Sequence, residues 1–279
     1  MRLTALLLSL FVLQPRSTEI RLIVKGDDMG AGHGINVATI DAYKRGVLRT
    51  TNVLVPGPWF LEAARLLKEN PGLDVGVHLA LTSEWSNVKW RPLTYAKSIV
   101  DEDGYFFPMV SPRAGFPPKT SIKEAAWKLD EIERELRAQL DAAKRHLPQA
   151  TYTWYHMGFT SLDPSVAELA AKLTKEYGLV QPMDTGIKFL GRIYESKDSG
   201  AVKADKLAAR LETLEPGLWL QIDHAATNDP EIQAMGHLGY EWVAADRSAN
   251  LEMWTSPKVR EVIERRGIKL TNYRELTKK

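Results

Sequence analysis

From Glu19 onward, short runs rich in branched apolar residues alternate with stretches of helical period, and this alternation constrains the fold most. Strand-type runs fall at 20–25, 52–55, 73–79, 151–155, 179–181, 218–222 and 268–271. Helical patterns fall between them, at 35–45, 60–69, 121–146, 163–178, 203–213 and 256–267. Roughly seven such alternations imply a mainly parallel sheet with helices outside, because parallel neighbours need a crossover between them. The count fits an α/β chain folded as a single-domain distorted (β/α) barrel with mainly parallel strands. A doubly wound open sheet has the same period and is the other solution.

Local signals support these boundaries. Ser121-x-x-Glu124 forms a capping box that would open the 121–146 helix. Asp163-Pro164 is an N-cap followed by a first-turn proline, and Gly46, Gly178 and Gly267 stop their helices. Residues 83–119 break the rhythm with Pro92, Pro108, Pro112, Pro117, Pro118 and several aromatics, which reads as a long ordered loop of the kind that carries function.

The first 17 residues read differently. Met1-Arg2 precedes an uncharged run from Leu3 to Leu13, the layout of a secretory signal peptide. The run is too short to span a bilayer. We therefore expect residues 1–17 to be a signal peptide, residues 18–279 to form the barrel domain, and the mature chain to be secreted or periplasmic with no membrane attachment. A buried first strand or helix is the competing reading.

Charge and cysteine content exclude several functions. With 37 basic against 35 acidic side chains the net charge is +2, so bulk attraction to nucleic acid is not expected. There is no cysteine, so any metal must be held by His, Asp and Glu. In parallel β/α folds, ligands collect beyond the carboxyl ends of the strands. Four strands deliver acids or histidines there: Asp27-Asp28, His78, His156 and Asp223-His224. Two imidazoles and one carboxylate can bind a divalent ion and leave positions open for water and substrate. A second carboxylate can accept a proton from the attacking water, and an imidazole opposite can protonate a leaving amine. Those parts suffice for metal-assisted hydrolysis of an amide or ester.

Several segments resemble one family. They are Gly26-Asp27-Asp28-Met29-Gly30 with Asn36, Gly46-Val47 leading to 52–58, Asp74 to Trp85 around Gly76-Val77-His78-Leu79, and His156-Met157-Gly158. Ala245-Asp246-Arg247-Ser248-Ala249 and Gly267-Ile268-Lys269-Leu270 complete the match over roughly residues 20–275. On these the chain is identified as a member of the YdjC-like (ChbG/HpnK-type) carbohydrate deacetylases. The resemblance implies a distorted barrel related to polysaccharide deacetylases, and a metal-dependent hydrolase that removes an acetyl group from an N-acetylated sugar or oligosaccharide by attack of metal-activated water on the acetamide carbonyl. It implies Asp28, His78 and His156 as metal ligands, Asp27 as general base and His224 as the acid. It implies Mg2+ as the ion, whereas the donor set itself suits Zn2+. An acetylated sugar is the implied partner, and a homodimer the implied assembly. The chain departs from the family's patterns His-x-His and His-Pro with His156-Met157-Gly158 and His224-Ala225.

Two alternatives use the same residues: a hydrolase of O-acetyl or other sugar substituents, and a non-catalytic carbohydrate-binding protein. A glycosidase needs carboxylates on opposite sides of a bond, which adjacent Asp27 and Asp28 do not supply. Among the remaining residues, His33 could line the site, His146 reads as a helix-terminal cation, and His237 has no assigned role. Trp85, Trp90, Tyr105, Phe106 and Phe107 could stack on sugar rings or pack the long loop. Glu84 and Arg247 could hold substrate hydroxyls or orient a metal ligand.

Overall fold

The computed structural model describes residues 18–182 and 186–277. The signal-peptide expectation for residues 1–17 lies outside the described residues. The elements in chain order are β1 (Ile20–Met29), α1 (His33–Arg45), β2 (Thr50–Leu54), α2 (Phe60–Glu69), β3 (Asp74–Leu79), α3 (Leu129–His146), β4 (Tyr152–Tyr155) and α4 (Pro164–Glu176). They continue with β5 (Lys188–Phe189), α5 (Gly200–Glu212), β6 (Gly217–Asp223), α6 (Pro230–Ala234), α7 (Val243–Thr255), α8 (Pro257–Arg265), β7 (Lys269–Thr271) and α9 (Tyr273–Thr277). None of the described helices is long and apolar enough to cross a membrane.

Every ladder between these strands is parallel, in the order β4-β3-β2-β1-β6-β5. β1 is the central strand. One of its edges carries β6 along residues 20–26; the other is shared by β7 at residues 21–23 and β2 at residues 25–29. β4 and β5 end the sheet, and among the described residues no ladder joins them. The barrel is therefore incomplete on that side.

Side chains alternate across a strand, so Leu22 and Val24 of β1 face the helices while Ile23 and Lys25 face the concave side. Ile23, Tyr152 and Leu220 meet Tyr273 in a small buried cluster of their own. Two strands separate β1 from β4, so this meeting requires the sheet to curl. Gly76 makes room for it: a Cβ there would lie 2.4 Å from the Tyr152 ring, whose hydroxyl donates to the Thr51 carbonyl at 2.7 Å. Below the cluster, buried Asp74 accepts hydrogen bonds from Thr50 (3.0 Å), Thr151 (2.7 Å) and the Tyr273 backbone (3.1 Å), which ties α9 across the amino end. The carboxyl end is left open.

Two local expectations are corrected, and one helix was not foreseen. The capping box of Ser121 and Glu124 forms, but it closes a single 3-10 turn at Ile122–Glu124. Ala125 is extended (φ −87°, ψ 158°), and α3 begins only at Leu129. The 179–181 run contributes one bridge, between Val180 and Tyr152, rather than a strand. Helix α7 has no counterpart in the sequence pattern, because its buried face is partly polar: Asp246, Arg247 and Asn250 are buried beside Val243, Ala244, Ala249, Met253 and Trp254, while Ala245 and Glu252 are exposed. Charged and amide side chains on the buried side erase the apolar stripe that marks an amphipathic helix.

The long loop after β3 is ordered. Buried Glu135 of α3 accepts from the backbone amides of Leu93 (3.1 Å) and Thr94 (2.9 Å), and Gln139 brackets Ala80 through its amide and carbonyl at 3.0 and 2.8 Å. Trp85, Trp90, Phe106 and Phe107 are buried beneath it. The loop roofs the carboxyl end of β3, where His78 sits.

Candidate metal centre

The site is built first by a bulge. Pairing of β1 with β2 shifts register between Gly26 and Met29, and Asp28 takes a left-handed backbone (φ 69°). Bulges re-aim side chains, and aspartate tolerates this region better than most residues. In a regular strand Asp27 and Asp28 would face opposite sides of the sheet; here both line one cavity of about 370 Å³. His78 reaches it from β3 and His156 from the turn after β4, while His224 follows β6. After His156 the chain turns sharply through two left-handed residues, Met157 (φ 50°) and Gly158 (φ 63°).

Three of these side chains converge. Asp28 Oδ1 lies 3.3 Å from His78 Nε2 and 3.4 Å from His156 Nδ1, and those two nitrogens are 3.3 Å apart. Ligand atoms held ~2.0–2.2 Å from one ion stand ~2.9–3.5 Å from each other, so the triangle fits a divalent ion. Asp28 Oδ1 is buried and receives no hydrogen bond, which leaves its lone pairs directed at that triangle. The donor set of two nitrogens and one carboxylate oxygen also matches.

Two of the three candidate ligands, His156 and Asp28, are braced from outside. Glu84 Oε2 stands 2.9 Å from His156 Nε2, the ring nitrogen that faces away from the triangle. A carboxylate there fixes ring orientation and raises the basicity of the opposite nitrogen. Arg247 Nη2 donates to Asp28 Oδ2 at 3.1 Å, so the two Asp28 oxygens have separate tasks. The guanidinium also lies over the Trp85 ring, 5.0 Å from its centroid. His224 Nε2 is 3.5 Å from Asp28 Oδ2, and its Nδ1 is 3.5 Å from Asp223 Oδ1. Asp223 in turn accepts from Tyr194 (2.6 Å) and Asn250 (2.8 Å).

Asp27 is held from below. Its Oδ1 accepts from Asn52 Nδ2 at 2.9 Å and from the Lys25 ammonium. Asn52 also accepts from the Asp28 backbone amide at 3.3 Å, so one side chain sets both aspartates.

The electrostatics follow from burial and from these neighbours. Burial pulls the Asp28 carboxyl up, but His224, His156 and His78 outweigh it and hold Asp28 well below the usual carboxylate range. Burial dominates at His78 and lowers its pKa, which keeps it neutral and able to donate a lone pair. At His156 burial opposes the charge, yet Glu84 and Asp28 prevail and push it up to about 10. Burial also acts against His224, and the Asp28 carboxylate overcomes it, leaving His224 above the ordinary histidine value.

All five site residues expected from sequence are thus brought to one cavity. Of the residues left open, Glu84 contacts His156 and Arg247 contacts Asp28, and Trp85 joins the lining with His237, whose ring stacks on it at 5.7 Å. His33 instead pairs with Glu62 at 3.0 Å, and His146 ends α3 with its ring 5.5 Å from Phe60. Sequence reasoning placed Asp223 at the rim without a role, and missed Lys25, Asn52, Tyr194 and Asn250. For Lys25 a signal existed: a charged residue inside a branched run, two positions before Asp27 and so on its face of the strand.

The family model described as YdjC-like protein matches residues 21–265. A carbohydrate deacetylase of Thermus thermophilus is 33% identical over 266 residues, covering 87% of this chain and 89% of that one. Carbohydrate deacetylase 2 of Listeria innocua is 26% identical over 275 residues, covering 93% and 100%. Among solved structures, a protein of Enterococcus faecalis V583 assigned provisionally to cellobiose-phosphate cleavage aligns with a TM-score of 0.73 at 26% identity, covering 92% of this chain and 99% of that one.

Proposed function

This chain belongs to the YdjC-like protein family, and on that premise we propose that it is a carbohydrate deacetylase that uses a divalent metal to remove the acetyl group of an N-acetylated sugar. The observation that carries the reading is the triangle of Asp28, His78 and His156 with Asp27 and His224 on the same cavity. The names of the curated relatives support deacetylation of a carbohydrate.

A bound divalent ion would be held by Asp28 Oδ1, His78 Nε2 and His156 Nδ1, and it supplies a Lewis acid that polarises the acetamide carbonyl and acidifies water. The side chains divide the proton transfers. Asp27 already receives two hydrogen bonds on Oδ1, so Oδ2 takes the proton from the attacking water. The water oxygen bonds to the acetyl carbon and the C–N bond breaks. His224, protonated above the usual histidine range, gives its Nε2 proton to the departing nitrogen, with Asp223 on Nδ1. Acetate and an amino sugar leave. Trp154, Tyr155 and Tyr240 border the cavity with flat rings that suit the C–H faces of a pyranose ring.

Magnesium, implied by the family resemblance, and zinc, favoured by the two imidazoles, are separated by metal analysis of protein purified without chelator. Acetate release from a panel of N-acetylated and O-acetylated saccharides tests the bond. Release from the N-acetylated members is expected, and release confined to O-acetyl esters would replace this reading with an esterase.

The brace on His156 gives a further expectation. Glu84→Gln keeps the shape and removes the charge, so metal affinity should fall by ~10–100-fold. Competition against a chelator measures it; unchanged affinity would show that Glu84 does not tune His156.

A further inference from the structure

Lys25 lies within β1, a strand whose described neighbours are parallel strands on both edges, and its side chain has no solvent exposure. Ammonium groups are rarely left in such a place without a task, because desolvation disfavours the charge. Its charge has two neighbours. Nζ donates to Asp27 Oδ1, and it sits 4.2 Å from the centroid of the Trp154 ring on β4. Lys25 and Asp27 are two residues apart on one strand, so they share a face, and the four-carbon stem carries the ammonium up the concave side to the floor of the cavity. Trp154 borders the same cavity and packs over the cation from the far side of the open barrel.

We propose that Lys25 is a positioning residue for the reaction proposed above: with Asn52 it pins one oxygen of Asp27, balances its charge, and leaves the other oxygen aimed at the attacking water. This rests on the deacetylase reading and adds to it a residue that never touches substrate. Burial pushes the Lys25 ammonium down to about 8, and the pairing with Asp27 together with the nearby charge of Asp28 opposes that shift. Asn52 alone would fix the position of Asp27 Oδ1 but supply no charge. A misplacement of about 1 Å in such a group costs on the order of 10²-fold in rate.

The test is a double-mutant cycle of wild type, Lys25→Met, Asp27→Asn and the double variant, read twice. In chelator-treated protein, Lys25→Met should lower the Tm by roughly 5–10 °C because Asp27 loses its buried partner, and Asp27→Asn added to it should recover most of that loss. On the best substrate of the acetylated panel, Lys25→Met should lose ~100-fold in kcat, with KM and metal content within twofold of wild type. In the Asp27→Asn background it should cost less than twofold more. Lys25→Gln, which keeps a donor without the charge and serves if Lys25→Met fails to fold, should fall between wild type and Lys25→Met. Wild-type kcat in either variant, or losses that multiply in the double variant, would overturn the inference. A wild type that releases no acetate would overturn the deacetylase reading instead, and an intact melting cycle would still support the Lys25–Asp27 pairing.

Discussion

Asp27→Asn protein is expected to retain its metal and to lose about three orders of magnitude in turnover, within the ~10²–10⁴-fold contribution of a positioned general base. The substitution isolates the proton transfer. Asparagine preserves the volume, and its carbonyl oxygen can still accept from Asn52 and Lys25 on the side where Asp27 Oδ1 now does. The ligand triangle of Asp28, His78 and His156 does not include Asp27, so metal content should stay at the wild-type level. Acetate release and metal analysis on the same preparation check both parts. Full turnover with bound metal would remove Asp27 from the reaction; loss of metal would make it a ligand.

His78→Ala and His156→Ala should fail in the opposite way, losing metal and activity together. Each supplies one corner of a triangle whose sides are 3.3–3.4 Å, and two remaining donors do not make a tight site at neutral pH. The affinity loss should exceed the ~10–100-fold that follows loss of an outer partner such as Glu84. The two variants should nevertheless differ in stability. His156→Ala leaves Glu84, which is 7% exposed, without its imidazole partner, and an orphaned buried acceptor costs ~1–3 kcal/mol. His78 Nδ1 has no hydrogen-bond partner to abandon. In chelator-treated protein His156→Ala should therefore melt a few degrees below His78→Ala, about 2–4 °C per kcal/mol in a chain of this size. Equal metal content in wild type and both variants would refute the ligand assignment.

The parts of the site that could be read in the sequence are those set by strand ends. Asp27, Asp28, His78, His156 and His224 each follow or close a branched run, and parallel topology then gathers them on one rim whatever the details of the loops. Glu84 and Arg247 could be named as candidates to orient a ligand, but which ligand each meets was hidden because the partners are remote in sequence. Glu84 meets a residue 72 positions away, and Arg247 meets Asp28 across 219. Local pattern carries no information about such pairings. The bulge that turns Asp28 was invisible for a similar reason, since Gly26-Asp27-Asp28-Met29-Gly30 is equally suited to a plain turn. Helix α7 was hidden for a compositional reason: Asp246, Arg247 and Asn250 on its buried face break the apolar stripe. The start of α3 failed for a chemical one, because a satisfied capping box can close a single turn as well as open a long helix.

In the proposed reaction one divalent ion, held by Asp28, His78 and His156, is required for acetate release from an N-acetylated sugar. The most direct test of that requirement is stepwise return of metal to chelator-treated wild-type protein while acetate release is followed. Metal-free protein should release no acetate, and recovery should rise with added ion and level off at one ion per chain. Undiminished release from protein shown by analysis to be free of metal would contradict the requirement.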